Sequence, residues 1–234
     1  MIRTLPTPAF VPFFMIGDGD TLEHVRIAVA HGADALELGV PFSDPVADGP
    51  VIQAAHLRST ATFEDCLDVV KQIRSEFPDL PIGMLVYGNI MFANENFHER
   101  LAQAGADTVL IPDIPVREAI EQNHIDTVFI APASADEKTL ESVGKASKGY
   151  IYAVARDGVT GTDKKAIANA EAIQKLKQYG PVLVGFGIST PADVRSIMDA
   201  GADGVIVGSA TIKAIQENRL AEFVSEMKAQ TFRR

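Results

Sequence analysis

The chain alternates between short apolar runs and longer segments in which apolar residues recur every three or four positions. Short runs rich in β-branched residues are typical of buried parallel strands, whereas the wider spacing is typical of helices with one buried face. The pattern predicts eight strands, at residues 9–14, 35–38, 82–86, 108–111, 127–131, 149–154, 182–185 and 204–207. Helices are predicted between them, at residues 21–31, 63–77, 97–104, 116–122, 137–145, 170–179 and 191–200, with a C-terminal pair within 211–231.

A Gly-Ala-Asp motif recurs in this alternation, in HGADALELG from residue 31, AGADTVLIP from residue 104 and AGADGVIVG from residue 200. Its glycine suits the left-handed residue that ends a helix, and the apolar run after the aspartate suits a buried strand. The motif therefore marks a helix-to-strand junction, and its repetition indicates a fold built from one βα unit. Eight strands predict an α/β fold, a closed (β/α)8 TIM barrel, as a single domain over residues 1–234. A doubly wound open sheet is the alternative.

Composition narrows the class of function. The formal net charge is −10 and the lysines and arginines are scattered, which argues against a nucleic-acid or anionic-membrane surface because such surfaces need clustered cations. Cys66 is the only cysteine, so neither an intramolecular disulfide nor a cysteine-based metal site can form, and a reducing cytoplasm is expected. The apolar run near the N-terminus is too short to span a membrane and is predicted to be the first strand.

In a barrel the active site lies at the carboxyl ends of the strands, so the residues that follow each strand are the candidates. Strands seven and eight run into VGFGIST and VIVGSATI, which place small residues just before a helix. Free backbone N–H groups and the helix dipole favour a phosphate at such a position. Gly187, Gly208 and Ser209 are the phosphate candidates, and Gly161 would close the same pocket. The alternative is that these glycines only turn the chain.

Glu37 lies between Leu36 and Leu38 in strand two, so strand alternation turns its side chain to the opposite face. A carboxylate that points into a barrel is costly to bury, and burial raises its pKa towards the range useful for proton transfer. The residues leave two interpretations equally open. Glu37 is either a catalytic acid–base or a structural glutamate bonded to neighbouring hydroxyls.

The loop after strand two, GVPFSDPVADGP, carries Asp44 and Asp48 among three prolines that restrict its conformation. Either aspartate is a candidate, and the alternative is an ordinary Asp-rich turn. A metal site is the weaker hypothesis, because His56 is the only histidine nearby in sequence and a divalent ion would need more oxygen ligands.

Other polar residues follow strands four and six. Asp113 and Tyr152 are candidates for the mouth of the barrel, and for each a structural role is equally open. Arg156 and Thr160 lie in a glycine-bearing stretch that is expected to act as a mobile lid. The histidines lie away from the predicted strand ends, so the surface is the default for all five: His24, His31, His56, His98 and His124.

The segment LELGVPFSDPVADGP, residues 36–50, resembles the signature of the tryptophan synthase α subunit family, with both acids in place. The resemblance extends over nearly the whole chain. Further segments that carry it are FVPF at 10–13, YGN at 87–89, DIPV at 113–116, Arg156, GVTG at 158–161, GFGIS at 185–189 and GS at 208–209.

This resemblance implies a (β/α)8 barrel that cleaves indole-3-glycerol phosphate to indole and glyceraldehyde 3-phosphate. It implies that Glu37 moves protons between indole C3 and the glycerol hydroxyl, while Asp48 binds the indole N–H and stabilises positive charge on the ring. Two carboxylates in different environments can separate their pKa values as this division requires. The resemblance further implies Tyr152 beside the glutamate, Thr160 orienting Asp48, and a substrate-binding set that also includes Phe13, Gly161, Phe186, Gly187, Gly208 and Ser209.

The resemblance also implies a partner, the pyridoxal-phosphate-dependent β subunit, in an α-β-β-α heterotetramer. The PLP cofactor would belong to that partner, and the chain itself is expected to need neither cofactor nor metal. Asp44, Pro45 and Asp113 would face the β subunit. The alternatives are a sugar-phosphate isomerase or epimerase barrel, a purely regulatory subunit and a free-standing indole-producing lyase.

Three features depart from the usual pattern of the family. Only eight residues precede the first predicted strand, so the N-terminal helix common in the family is expected to be absent. The segment 116–126 and the stretch after Gly161 are shorter than usual, and Asp157 stands where a small residue is typical. None of these changes removes a candidate catalytic residue. They affect lid and partner-facing segments, which predicts a barrel that depends on its partner.

Overall fold

The computed structural model describes residues 2–120, 123–155 and 170–232. Strands and helices alternate along these residues. The strands are β1 Ala9–Met15, β2 Leu36–Gly39, β3 Ile82–Leu85, β4 Thr108–Leu110, β5 Asp126–Val128, β6 Ile130–Ala131, β7 Ile151–Val154, β8 Val182–Gly185 and β9 Gly204–Val207. The helices are α1 Thr21–Ala30, α2 Pro50–Arg58, α3 Phe63–Glu76, α4 Gly88–Ala93, α5 Phe97–Ala104, α6 Glu137–Ala146, α7 Ala170–Leu176, α8 Pro191–Asp199, α9 Ser209–Gln216 and α10 Leu220–Ala229.

The strands form one parallel sheet in the order β5-β4-β3-β2-β1-β9-β8-β7-β6. Its two edge strands, β5 and β6, are separated only by Phe129, whose carbonyl accepts a hydrogen bond from the N–H of Tyr152 in β7. The edges are therefore parts of one extended segment, and the sheet closes on itself. The predicted barrel is confirmed, and the strand predicted at 127–131 is found in two pieces.

Strand alternation divides the buried side chains into two cores. Phe14, Leu36 and Leu38 belong to a layer between the strands and the helices. Leu85 and Leu183 belong to a second cluster that fills the barrel. Because both faces of most strands are buried, these strands are nearly continuous apolar runs; β5 and β6 are partly exposed.

The glycines of the Gly-Ala-Asp motif have the same conformation in all three copies. Gly32, Gly105 and Gly201 have φ values of 105°, 108° and 105°. These values lie in the left-handed region, which glycine adopts without steric penalty at the end of a helix. The predicted helix-to-strand junction is confirmed at each copy.

The aspartates of the motif connect each strand to its neighbour. Asp34 accepts a hydrogen bond from the backbone N–H of Phe10, Asp107 from that of Ile82, and Asp203 from that of Val182, at 2.7, 2.9 and 3.0 Å. Each carboxylate also forms an ion pair with a cation of the helix layer, in the pairs Asp34–Lys228, Asp107–Arg74 and Asp203–Lys177. Each motif aspartate therefore connects two neighbouring strands and the helix layer at the amino ends of the strands, opposite the mouth.

Most predicted helices end within three residues of their observed bounds, but the helix predicted at 116–122 is wrong. Over its described part, only Val116–Glu118 form one turn of 3₁₀ helix, and the backbone at Ala119 has already left the helical region. No side chain caps the turn and none of its residues is fully buried, so the described residues stabilise a longer helix only weakly. Two short helices on the mouth side, α2 and α4, were not predicted. Among the residues that the structure describes, no helix is long and apolar enough to cross a membrane.

Candidate active site

Glu37 projects from β2 into the barrel, as alternation predicts. Its residue is 3% exposed and lies in register with Phe13 of β1 and Gly83 of β3. Gly83 adds no side chain to the interior beside the glutamate. The side chain of Glu37 is therefore surrounded by neighbouring strands and shielded from solvent.

Neighbouring hydroxyls do not satisfy the carboxyl group of Glu37. Its Oε1 is buried and has no hydrogen-bond partner among the described residues. Burial, and to a smaller extent the charge of Asp48, raises the pKa of Glu37 to about 8. Buried polar atoms are nearly always hydrogen-bonded in folded proteins, so an unpartnered carboxyl oxygen with a raised pKa is typical of a functional group. This observation favours the acid–base interpretation over the structural one.

Tyr152 projects from β7 into the same interior and is 4% exposed. Its ring meets that of Phe186 edge-on, with 5.6 Å between the ring centroids. A Cβ atom on Gly185 would overlap the Tyr152 hydroxyl, so the ring fits only because residue 185 is glycine. Burial and then the charge of Glu37 raise the pKa of Tyr152. Its hydroxyl therefore stays protonated and can donate a hydrogen bond near the glutamate.

Phe13 links the acid to the ends of β2 and β9. A Cβ atom on Gly39 would come within 2.5 Å of Cζ of Phe13, so the ring lies directly over that glycine. A Cβ atom on Gly208 would lie 3.9 Å from Cβ of Phe13. Phe13 thus contributes apolar surface to the barrel interior next to Glu37.

Asp48 lies in the loop between β2 and α2 with its side chain 8% exposed. Its Oδ2 accepts a hydrogen bond from the Tyr87 hydroxyl at 2.7 Å and lies 3.1 Å from Nε2 of His56. Among the described residues, none donates a hydrogen bond to Oδ1. The described residues therefore hold one carboxylate oxygen and leave the other without a donor.

Tyr87, which follows β3, joins two parts of the loop that carries Asp48. Its hydroxyl donates to Asp48 and accepts from the N–H of Ala47 at 3.1 Å. Its ring stacks on Phe42 with 5.0 Å between the centroids. Burial, and then the hydrogen bond to Asp48, raise the pKa of Tyr87 well above its ordinary value. The hydroxyl is therefore a permanent donor to the aspartate.

The prediction that His56 lies on the surface is wrong. His56 is 3% exposed and lies on the buried face of α2 with Ile52 and Ala55. The spacing of these three residues is the signal of a buried helix face, but the prolines before it favoured a loop. Of the other histidines, His31 and His124 are exposed as predicted, whereas His24 and His98 are half-buried.

The phosphate candidates follow β8 and β9, which are neighbours in the sheet. Gly187 has φ of 72° in the turn after β8. Gly208 is the N-cap of α9 and Ser209 its first residue, and no side chain caps that helix. By contrast, the N-terminus of α8 is closed by a reciprocal capping box between Thr190 and Asp193. The free N–H groups that suit an anion therefore lie at α9.

Several predicted site residues have no described position or no tested role. Thr160 and Gly161 lie outside the described residues. Asp44 and Asp113 are exposed and Pro45 is half-buried. Oδ1 of Asp113 accepts a hydrogen bond from the N–H of Gly88 at 2.8 Å, which fixes it to the start of α4. That Asp44, Pro45 and Asp113 face a partner subunit stays a prediction.

The chain is similar to proteins of one family over nearly its whole length. The family model described as tryptophan synthase alpha chain matches residues 3–233. The tryptophan synthase alpha chain of Corynebacterium aurimucosum is 51% identical, covering 95% of this chain and 92% of its own. That of Aliivibrio fischeri is 46% identical, covering 95% and 93%.

Solved structures give the same result. A structure of Mycobacterium tuberculosis tryptophan synthase superposes with a TM-score of 0.84 at 30% identity, covering 96% of this chain and 93% of its own. A tryptophan synthase complex from Pyrococcus furiosus superposes with a TM-score of 0.80 at 28% identity, covering 99% of both chains.

Proposed function

Because the chain belongs to the tryptophan synthase α chain family, we propose that Glu37 and Asp48 divide its chemistry between a proton carrier and a fixed anion. The reaction is cleavage of indole-3-glycerol phosphate to indole and D-glyceraldehyde 3-phosphate. The chain is thus a carbon–carbon lyase of tryptophan biosynthesis. The observation that carries the proposal is the buried Oε1 of Glu37, which has no hydrogen-bond partner in the described part of the chain.

The cleavage needs one proton at indole C3 and removes one from the adjacent glycerol hydroxyl. Protonation of C3 places a positive charge on the ring nitrogen. The carbon–carbon bond then breaks, its electron pair returns to the ring, and the hydroxyl carbon becomes the aldehyde. A single carboxyl group that gives the first proton and takes the second leaves the enzyme unchanged. Glu37 suits this role because a pKa of about 8 makes both protonation states accessible near neutral pH.

Asp48 suits the second role because its surroundings favour a fixed carboxylate. Two groups from different parts of the chain, Tyr87 and His56, contact the same oxygen, Oδ2. Oδ1 is then left to accept the indole N–H and to stabilise the positive charge that develops on the ring. Tyr152 would donate a hydrogen bond beside Glu37, and Thr160 would orient Asp48 from the lid.

The remaining candidates bind the two ends of the substrate in this proposal. Phe13 and Phe186 supply apolar surface for the indole ring, since both adjoin the interior near the acids. The N-terminus of α9, with Gly208 and Ser209, binds the phosphate together with Gly187 and Gly161.

The chain acts with a tryptophan synthase β subunit. We propose an α-β-β-α assembly in the cytoplasm, in which PLP belongs to the β subunit and this chain, as one barrel domain, uses no cofactor. Large apolar side chains are exposed around the mouth, and these suit an interface better than solvent: Val46, Leu57 and Phe92. Val46 directly follows Asp44 and Pro45 in the chain.

An assay of indole formation from indole-3-glycerol phosphate tests the assignment of the acids. Glu37→Ala and Glu37→Gln should lower kcat by about 10²–10⁴-fold, because the proton carrier is lost. Asp48→Asn should lower kcat by about 10²–10³-fold, because an amide cannot stabilise the ring cation. Binding of glycerol 3-phosphate should stay near the wild-type value in all three. Normal indole release from a Glu37 variant would refute the proposal.

The same assay with and without a β subunit separates the alternatives. A large stimulation is expected, since the chain acts as a synthase subunit. High activity of the chain alone would instead favour a free-standing lyase. Absence of indole in both cases would favour a sugar-phosphate barrel.

A further inference from the structure

We propose that His56 is a positioning residue for the cleavage reaction, holding Oδ2 of Asp48 through a neutral ring that carries its proton on Nε2. The proposal rests on the role of Asp48 proposed above. His56 itself is not expected to touch the substrate. It acts by keeping Oδ1, the other oxygen of the aspartate, in one direction.

The backbone determines which ring nitrogen carries the proton. The N–H of Phe42 can only donate, and it lies 3.0 Å from Nδ1 of His56, so Nδ1 must present its lone pair. The proton of a neutral ring is then on Nε2. That atom lies 3.1 Å from Oδ2 of Asp48, which as a carboxylate oxygen accepts. The two contacts specify one tautomer and one ring orientation.

The surroundings of the ring keep it in this orientation. The side chain of His56 is fully buried, so water does not compete for either nitrogen. Its ring lies edge-on to Tyr87, with 6.0 Å between the centroids. One turn earlier on α2, the side-chain amide of Gln53 donates to the backbone carbonyl of Asp48 at 2.8 Å. Helix α2 therefore holds both the backbone and the carboxylate of the aspartate.

Two donors on one oxygen restrict the carboxylate more than one donor does. The Tyr87 hydroxyl reaches Oδ2 from the end of β3, and His56 reaches it from α2. Rotation of the carboxylate to any other orientation would strain both hydrogen bonds at once. A misdirected catalytic group costs rate rather than substrate affinity, so removal of His56 should change kcat more than KM.

A matched pair of variants separates the two contacts of the ring. In His56→Asn the amide oxygen replaces Nδ1 and keeps the bond from Phe42, but the side chain is too short to reach Asp48. In His56→Gln the amide nitrogen lies near the position of Nε2 and keeps a donor on Asp48. We expect His56→Asn to lower kcat about 10–100-fold with KM changed less than about 3-fold. His56→Gln should retain at least about a third of wild-type kcat.

A double-mutant cycle tests whether His56 acts through Asp48. In the Asp48→Asn background, adding His56→Asn should change the single-turnover rate constant by less than about 2-fold, because the carboxylate that His56 positions is already lost. Multiplicative losses would overturn the proposal. So would wild-type kcat in His56→Asn, or equal losses in the Asn and Gln variants at unchanged melting temperature. Full activity of Asp48→Asn alone would instead refute the function proposed for Asp48.

Discussion

Burial gives Glu37 its raised pKa and, for the same reason, makes it costly to the fold. An ionised carboxylate inside the barrel would be shielded from bulk solvent, and no described residue offers Oε1 a hydrogen bond. The folded protein therefore keeps a proton on Glu37 over a pH range in which the unfolded chain has lost it. Catalytic fitness and stability are opposed at this residue, as is common at active sites.

This opposition predicts how Glu37→Gln changes stability with pH. The pKa of Glu37 is about 8 in the fold against an ordinary value of 4.5, so its contribution to the free energy of unfolding is full below pH 4.5 and is lost as pH rises through 8. Glutamine does not titrate. Relative to wild type, the variant should therefore gain about 4 kcal/mol between pH 5 and pH 9. Urea denaturation at several pH values measures this, with the exposed Glu95→Gln as a control. A difference that does not change with pH would contradict the prediction.

Single residues also show how far sequence reasoning reaches. Alternation located Glu37 on the inner face, because the period of a strand needs only its neighbours Leu36 and Leu38. It could not separate Asp44 from Asp48, since that choice depends on contacts with Tyr87 and His56, which are distant in sequence. His56 was misplaced because its burial follows from a helix whose start, Pro50, ends a proline-rich loop.

At the scale of elements, each Gly-Ala-Asp junction joins a helix end, a strand start and the neighbouring strand. The three junctions differ in burial. Asp107 is 1% exposed and also accepts hydrogen bonds from the backbone and side chain of Arg3. Asp203 and its partner Lys177 are more exposed. A charge removed from a buried network leaves its partners unpaired, whereas an exposed pair is replaced by water.

Asparagine substitutions at two junctions should therefore have unequal effects. Asp107→Asn should lower the free energy of unfolding by about 3–5 kcal/mol, because Arg74 and Arg3 lose their buried counter-charge. Asp203→Asn should cost about 1 kcal/mol. Urea denaturation measures both, and kcat of the folded protein should not change, because these aspartates lie at the end of the barrel opposite the mouth. Equal losses would show that burial does not set the strength of the junction.

The helices and strands were predictable where the hydrophobic period agreed with the turn residues at the ends of the segment. Strands β8 and β9 have their predicted bounds, because both are apolar runs followed by glycine turns. Helix α4 is only six residues long, too short to show a period. In the segment predicted as a helix from 116, Val116 packs against the core while Arg117 and Glu118 are exposed and Ile120 is 53% exposed, so its described part buries little apolar surface. Local sequence decides such segments weakly, and tertiary packing decides them instead.

The whole molecule carries a formal net charge of −10, although its substrate is a phosphate ester. Its overall field repels the substrate, so binding must depend on a local positive potential. The N-terminus of helix α9 supplies such a positive potential, because no side chain caps its first N–H groups, whereas those of α8 are bound by its capping box. Glu37, Asp48 and the N-terminus of α9 lie at the mouth of the barrel. The aspartates of the Gly-Ala-Asp motif lie at the opposite end. The barrel thus has its proposed catalytic and phosphate-binding groups at one end and the ion pairs that stabilise the fold at the other.

Gly208 allows the charge at α9 to be tested apart from the space around it. A carboxylate from Gly208→Asp would stand where the phosphate is proposed to bind. At about 4 Å and partial exposure the repulsion amounts to about 4 kcal/mol, which predicts affinity for glycerol 3-phosphate at least about 100-fold weaker. Gly208→Ala should weaken it less than about 5-fold, because the added Cβ meets no atom closer than 3.6 Å. Calorimetric titration measures both affinities. Equal weakening would indicate a steric effect rather than a charge effect, and unchanged affinity in the Asp variant would place the phosphate elsewhere.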